Sequence, residues 1–307
     1  MIISKELYDK CCPSYKKGID ELEKKIAKIK HSDDDMATKL CETIMKFSNS
    51  YLTPREYWKY LMQRIYKEID INDVEKLKAN CRKIAKRALF HFYYNSEWNA
   101  IQYKIYGDSI IRMIFDDLSV CYFNAYDDKH LKLLNFQYNF YFESGKHKSS
   151  FRKYAVKSRD LEYPHAHLQE FMQEYERKSS RIPSAKITQQ YKDNKKLYDK
   201  IKAVEHNVKE WFNLLLEVND IDFVMHNVEN RLGKNLFNIE LWKLYLTFLE
   251  KHGEYSRLLE VLSLYCRFFM DDEEMKEKYQ TQMAKFGFSN LSLKTVYAFP
   301  HDVKPAK

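Results

Sequence analysis

Glycine and proline are scarce, six of each in 307 residues. Both residues punctuate turns, so their shortage argues against a loop-rich or all-β architecture. Cysteine offers no framework. The six thiols, Cys11, Cys12, Cys41, Cys81, Cys121 and Cys266, form neither a CxxC pair nor a metal-finger spacing, and they read as reduced thiols of an intracellular protein. No apolar run approaches the length of a bilayer. The opening Met-Ile-Ile-Ser-Lys-Glu-Leu lacks the apolar core of a secretory signal. A protein outside the membrane and not exported is expected. A glycine-rich phosphate loop, a nucleophile elbow and a His-Glu-x-x-His pair are also missing. The chain is therefore expected to be no enzyme, with no catalytic residue, no metal ligand and no cofactor.

What is abundant is aromatic and basic: 24 Tyr and 19 Phe against 4 Trp, with a net charge of +8 and a pI near 8.9. Tyrosine suits half-buried seams, where the ring packs and the hydroxyl reaches water. A moderately basic chain admits an RNA partner or an acidic protein face without demanding either. The length suffices for a sizeable core.

Helical periodicity runs through most of the chain. Ile19, Leu22, Ile26 and Ile29 space a helix over 7–30, read as a capping helix or short coiled-coil arm. A further helix follows the acids of 32–35 and runs through Phe47. Thr53-Pro54-Arg55-Glu56 predicts a helix start, with Thr53 as N-cap and Glu56 closing a capping box. Behind it lie Tyr57, Trp58, Leu61 and Ile65. Leu77, Cys81, Ile84, Ala88 and Leu89 form its partner. A second pair, led by Trp98, breaks at Gly107. The segment 131–157 alternates like a β-hairpin around Ser144-Gly145, but the surrounding beat favours helix–turn–helix. Pro164 opens a helix carrying Leu168, Phe171, Met172 and Tyr175.

Residues 179–186, rich in Ser and holding Pro183, have linker composition. A long polar helix then runs through Lys200. Trp211, Phe212 and Leu215 begin a pair whose second arm ends before Gly233. The clearest unit is 239–269. Trp242, Tyr245, Leu246 and Leu249 form one helical stripe, Gly253 breaks it, and Leu258, Leu259, Leu262 and Tyr265 form the next. Asp271 to Glu274 start a last helix, expected to end at Gly287, before an irregular tail.

At Trp242, Tyr245, Phe248, Glu250, Gly253, Arg257, Tyr265 and Arg267 the sequence resembles a half-a-TPR (HAT) repeat, with Leu249 intervening between Phe248 and Glu250. Trp211 with Glu217 and Arg231, and Phe142-Glu143 with Gly145, are weaker copies. The resemblance implies an all-α fold, a right-handed α-solenoid of antiparallel helical hairpins. Its domains would be N-terminal helices at 1–49, HAT-like repeats at 50–178, a linker at 179–186, repeats at 187–287 and a tail at 288–307. It also implies a nuclear, non-enzymatic scaffold whose partners are protein subunits of an RNA-processing assembly for splicing or 3′-end formation. A homodimer through the C-terminal half is part of the same implication. Trp211 and the eight motif residues would be structural, their polar members bonding within the hairpin. A HAT-like adaptor of some other regulatory assembly is a further alternative.

Other features have plainer readings. His165-x-His167 beside Glu170 lacks the further ligands a metal needs and reads as surface histidines. Cys11-Cys12 reads as two thiols on a mobile segment. Two basic tracts remain: Lys146, Lys148, Arg152, Lys153, Lys157 and Arg159, then Arg177, Lys178 and Arg181 with Lys186, Lys192, Lys195 and Lys196. Such tracts commonly form a solvated face. A contact for RNA phosphates or an acidic partner is the functional alternative, and direct RNA binding is the rival to the scaffold.

Overall fold

A computed structural model describes residues 1–29, 36–67, 84, 87–88, 90–93, 132–135, 156–179 and 182–290 of the chain. All regular structure among them is helical, with no strand. The helices are α1 (Lys5–Lys10), α2 (Pro13–Lys28), α3 (Met36–Ser48), α4 (Arg55–Lys67), α5 (Leu168–Lys178), α6 (Ala185–Ala203), α7 (Val208–Leu216), α8 (Ile221–Lys234), α9 (Ile239–Lys251), α10 (Tyr255–Cys266) and α11 (Glu273–Asn290). A 3-10 turn, Ser158–Leu161, precedes α5. The expected helices around Trp98 and the 131–157 ambiguity lie outside the described residues, apart from 132–135 and 156–157.

The later helices start where short polar side chains supply a cap. Ser184 Oγ accepts from Ile187 N at 3.3 Å, and Asn207 Oδ1 from Glu210 N at 3.1 Å. Asp220 Oδ1 accepts from Phe223 N at 2.7 Å, Asn238 Oδ1 from Leu241 N at 3.1 Å and Asp272 Oδ1 from Met275 N at 3.1 Å. Each satisfies an amide that the first turn leaves without a carbonyl, a contribution of about 1 kcal/mol per cap. Two residues with positive φ turn the chain between helices: Asn219 (φ 56°) before α8 and Gly253 (φ 73°) between α9 and α10.

The described residues fall into two compact units, one within Met1–Tyr94 and Leu232–Lys307, the other within Asn95–Arg231. Helices α5 and α6, the second beginning at Ala185 within 179–186, both belong to the second unit. The first unit is built from both ends of the chain. Tyr15 of α2, fully buried, sets its ring edge-on to Phe268 at 4.9 Å, and its hydroxyl donates to the Leu52 carbonyl. Leu52 N in turn donates to the Arg267 carbonyl at 3.3 Å. Ser14 N reaches the Asp271 carboxylate at 3.3 Å. The N-terminal helices are therefore packed structure, with Ile19 and Leu22 in the core, and they form no free coiled-coil arm.

In the second unit, α8 carries a polar fastening. Asn227 Oδ1 accepts from Leu134 N at 2.8 Å, and its Nδ2 donates to the Lys132 carbonyl at 2.7 Å. Lys132 Nζ reaches Asp220 at 2.9 Å and Asp222 at 3.2 Å. Tyr163 adds a hydroxyl bond to Asp220 at 2.8 Å and stacks on Phe223 at 5.7 Å.

Four local expectations need correction. The helix over 7–30 is two helices, because Pro13 cannot continue α1 and starts α2 at its first turn instead. Thr53 makes no capping box: its N–H goes to His91 Nδ1 at 2.9 Å and its hydroxyl to the Tyr51 carbonyl at 3.5 Å. The last helix runs past Gly287 to Asn290. Gly233 lies inside α8 and marks a close approach, since a Cβ there would stand 1.9 Å from the Phe92 carbonyl oxygen.

Gly233→Ala should therefore destabilise the chain more than Gly253→Ala, as read from urea midpoints. Alanine returns about 1 kcal/mol of helix propensity at position 233. The forced movement of backbone belongs at the upper end of the roughly 1–3 kcal/mol cost of overpacking. A left-handed alanine at position 253, where the nearest atom is a Tyr255 ring carbon at 3.9 Å, costs about 1 kcal/mol. Equal losses, or a milder effect at 233, would contradict the close approach.

Candidate functional site

The HAT-like residues come together in the α9–α10 hairpin, and most are buried. Trp242 and Tyr245 are fully buried, Tyr265 is nearly so, and Phe248 is 6 % exposed. Trp242 Nε1 donates to the Leu236 carbonyl at 2.8 Å, and its ring meets Tyr265 edge-on at 5.5 Å. The Tyr265 hydroxyl donates to Asp272 at 2.8 Å, tying the hairpin to the cap of α11. Burial and the Asp272 bond raise the Tyr265 pKa, so the phenol stays protonated. Such rings cannot stack on a ligand; they hold the hairpin shut.

The polar motif residues occupy different places. Arg257 pairs with Glu260 one turn along α10, with its guanidinium 5.8 Å from the Phe92 ring centroid. Glu250 meets Gln282 at 3.3 Å and Lys278 at 3.9 Å, both on α11. Arg267 is wholly buried at the end of α10. In the weaker copy, Arg231 lies over Trp211 at 4.3 Å and donates to the Glu205 carbonyl at 2.7 Å. That stack is a cation–π contact of about 1 kcal/mol.

A buried polar joint in the first unit has no counterpart in the sequence reading. Arg87, 5 % exposed, donates from Nε to Ser48 Oγ at 2.9 Å and from Nη2 to Ser48 O at 2.8 Å and Asn49 Oδ1 at 2.6 Å. His91, 2 % exposed, accepts the Thr53 amide. Together they fasten the 48–53 loop. The signal was available: Arg87 and His91 stand four apart, among Ile84, Ala88 and Phe92, on what is otherwise an apolar stripe.

The supposed surface histidine His165 is 1 % exposed and structural. Its Nε2 sits 2.8 Å from the Asp160 carbonyl, while His167 N donates to Nδ1 at 3.1 Å. A carbonyl only accepts and an amide only donates, so the ring is the neutral Nε2–H tautomer. No group of three His, Cys, Asp or Glu among the described residues could hold a metal. Among them, too, no helix is long and apolar enough to cross a membrane. The vicinal cysteines sit at the α1–α2 joint: Cys11 Sγ donates to Leu7 O at 3.2 Å and Cys12 Sγ to Phe268 O at 3.6 Å.

The basic tracts divide. Lys146, Lys148, Arg152, Lys153 and Arg181 lie outside the described residues. Lys157 is exposed, and Arg159 stands 3.8 Å from Asp160. Arg177 grips Glu174 through two bonds of 2.8 Å, and Lys178 joins the same carboxylate at 2.7 Å. The Arg177 guanidinium, helped by Lys178, holds the Glu174 carboxyl down at about 2. Both cations thus spend their charge on their own helix, at the i+3 and i+4 positions where a carboxylate attracts them. The chain matches no known family model, and no curated protein is similar to it.

Two expectations follow. Burial, then the Arg87 and Arg267 charges, push the His91 pKa well below its ordinary value. The folded ring stays neutral where the unfolded one, near pH 6.5, gains a proton. Stability is therefore level above about pH 7.5 and falls below 6.5, by up to about 1.4 kcal/mol per pH unit. His91→Asn retains an acceptor for Thr53 and should flatten that slope in denaturant titrations at pH 5 to 8; an unchanged slope would count against it. Burial also raises the Cys11 thiol to about 11. Iodoacetamide at pH 8, followed by peptide mass spectrometry, should alkylate Cys12 well before Cys11, and the reverse order would sink that assignment.

Proposed function

We propose that the chain is a HAT-type helical-repeat protein, a non-enzymatic α-solenoid that scaffolds protein–protein interactions in an RNA-processing assembly of splicing or 3′-end formation. The observation that carries the reading is the α9–α10 hairpin. Its Trp242 and Tyr245 are buried, Trp242 meets Tyr265 edge-on, and Gly253 makes the left-handed turn between its helices, as a repeat of this type would require. The α7–α8 pair supports it more loosely, through buried Trp211 under Arg231. A helical hairpin buries one side and offers its next face to a neighbour, so stacked pairs suit extended partner surfaces better than a reaction cleft. Work in the nucleus and self-association through the C-terminal half belong to the same proposal.

The test is affinity purification of the intact chain from native nuclear extract, with and without ribonuclease. Splicing or polyadenylation subunits should co-purify in stoichiometric amounts and survive ribonuclease. Recovery of other stable protein partners, with no such subunits, would overturn the RNA-processing assignment in favour of an adaptor elsewhere.

A further inference from the structure

Helix α6 is long but gives little to the core: of Ala185–Ala203 only Ile201 is buried. Its inner side is fixed by Asn194 Nδ2, which donates to the Leu161 carbonyl at 2.8 Å, and by the Tyr198 hydroxyl on Asn135 at 3.0 Å. On the opposite side Lys186, Lys192, Lys196 and Lys200 are all exposed. At 100° per residue the four fall within roughly a third of the helix circumference. At 1.5 Å per residue they are spaced by about 9, 6 and 6 Å along the axis. None of the four makes an ion pair with a described residue, in contrast to Arg177 and Lys178 on α5. Of the two aspartates of α6, Asp199 pairs with Lys195 at 3.4 Å, while Asp193 accepts only from the uncharged Gln189 at 3.0 Å and lies within the lysine arc.

The solvated-helix explanation covers only part of this row. Lys200 in the last turn suits the negative end of the helix dipole, but Lys186 stands in the first turn, where a cation is disfavoured and no acid balances it. From this row we infer that the outer face of α6 binds the phosphate backbone of single-stranded RNA without regard to sequence. Lysines meet phosphates as point charges and fix no base-edge geometry. The intervals near 6 Å are comparable to those between successive phosphates of one extended strand. A duplex curves away from a straight convex rod, whereas a flexible strand lies along it. Tyr191 and Tyr198 sit on the inner half of the helix, so the face offers charge without a stacking platform, and base identity goes unread. The inference goes beyond the scaffold proposal and stands or falls separately from it.

The test uses the full chain and a fluorescent 20-nucleotide oligo(U), followed by anisotropy from 50 to 300 mM KCl. Four neutralised phosphates give a log–log salt slope of about −3 from this face. The variant Lys186→Gln/Lys192→Gln/Lys196→Gln/Lys200→Gln should weaken binding at least tenfold at 100 mM KCl and lose that part of the slope. Glutamine keeps the helix propensity of lysine, which circular dichroism verifies. A control, Lys17→Gln/Lys24→Gln/Lys25→Gln/Lys28→Gln on α2, removes the same charge from another exposed row and should change affinity less than twofold. Should the quadruple variant unfold, Lys192→Gln/Lys196→Gln is expected to lose about half the slope. No binding by the native chain, or equal losses in both quadruple variants, overturns the inference. So does displacement of the RNA by polyglutamate as readily as by unlabelled oligo(U), which would point to an acidic protein segment. A scaffold that fails to recover processing subunits but keeps this salt-dependent binding separates the two proposals.

Discussion

The peptide group of Leu52 is the point on which the first unit depends. It is fully buried, and a buried peptide must find partners inside the protein. Its N–H goes to the Arg267 carbonyl and its C=O accepts from Tyr15. One residue thus joins α2 to the end of α10. The neighbouring loop is treated likewise: Arg87 takes Ser48 and Asn49, and His91 takes the Thr53 amide. Stranding any one of these groups costs about 1–3 kcal/mol, a substantial share of a typical folding free energy. Polar satisfaction at this joint, as much as apolar burial, positions Trp58 and Trp242, which both rest on carbonyls close by, Thr53 O and Leu236 O.

Local order was legible where it rests on local physics. The α7–α8 and α9–α10 helices could be placed from apolar period and short polar caps, and Gly253 from its break in the stripe. The all-helical class followed from the same signals. What escaped is long-range or shaped by single atoms. Nothing in the spacing of Tyr15 announces Phe268 as its neighbour. Gly233 carries the same letter as Gly253, yet one relieves contact with a carbonyl and the other permits a turn. Pro13 was a readable break, overridden by the heptad-like isoleucines behind it. For the candidate site, the pairing of Arg177 and Lys178 with Glu174 was present in the i, i+3 and i+4 spacing, and a tally of positive residues obscured it.

Charge is distributed accordingly. Where cations face carboxylates on the same or an adjoining element, as at Glu174 or around Lys132 and Asp220, they serve local geometry. Where such a pair is exposed, as Lys202 with Glu205 is, it contributes little stability, about 0–1 kcal/mol. Their consequence is to cancel field. A basic chain can therefore carry part of its positive charge without projecting it, while the exposed lysine rows of α2 and α6 keep theirs unpaired among the described residues.

The first unit takes its residues from 1–94 and from 232 onwards, with the whole of 95–231 between them. Synthesis proceeds from the N-terminus, so α1 to α4 leave the ribosome long before α10 exists. At that stage Tyr15 and Leu52 have no Phe268 or Arg267 to meet, and their apolar neighbours face water or a chaperone. At about 5–20 residues per second the wait is on the order of ten seconds or more, ample for aggregation to compete. The second unit waits less, because its described contacts span up to 95 residues, as between Lys132 and Asn227, a shorter separation than that of Tyr15 from Phe268. The order of maturation is thus inside first, with the two ends closing last, and a premature stop near the C-terminus would leave the N-terminal helices as unfinished as the missing ones.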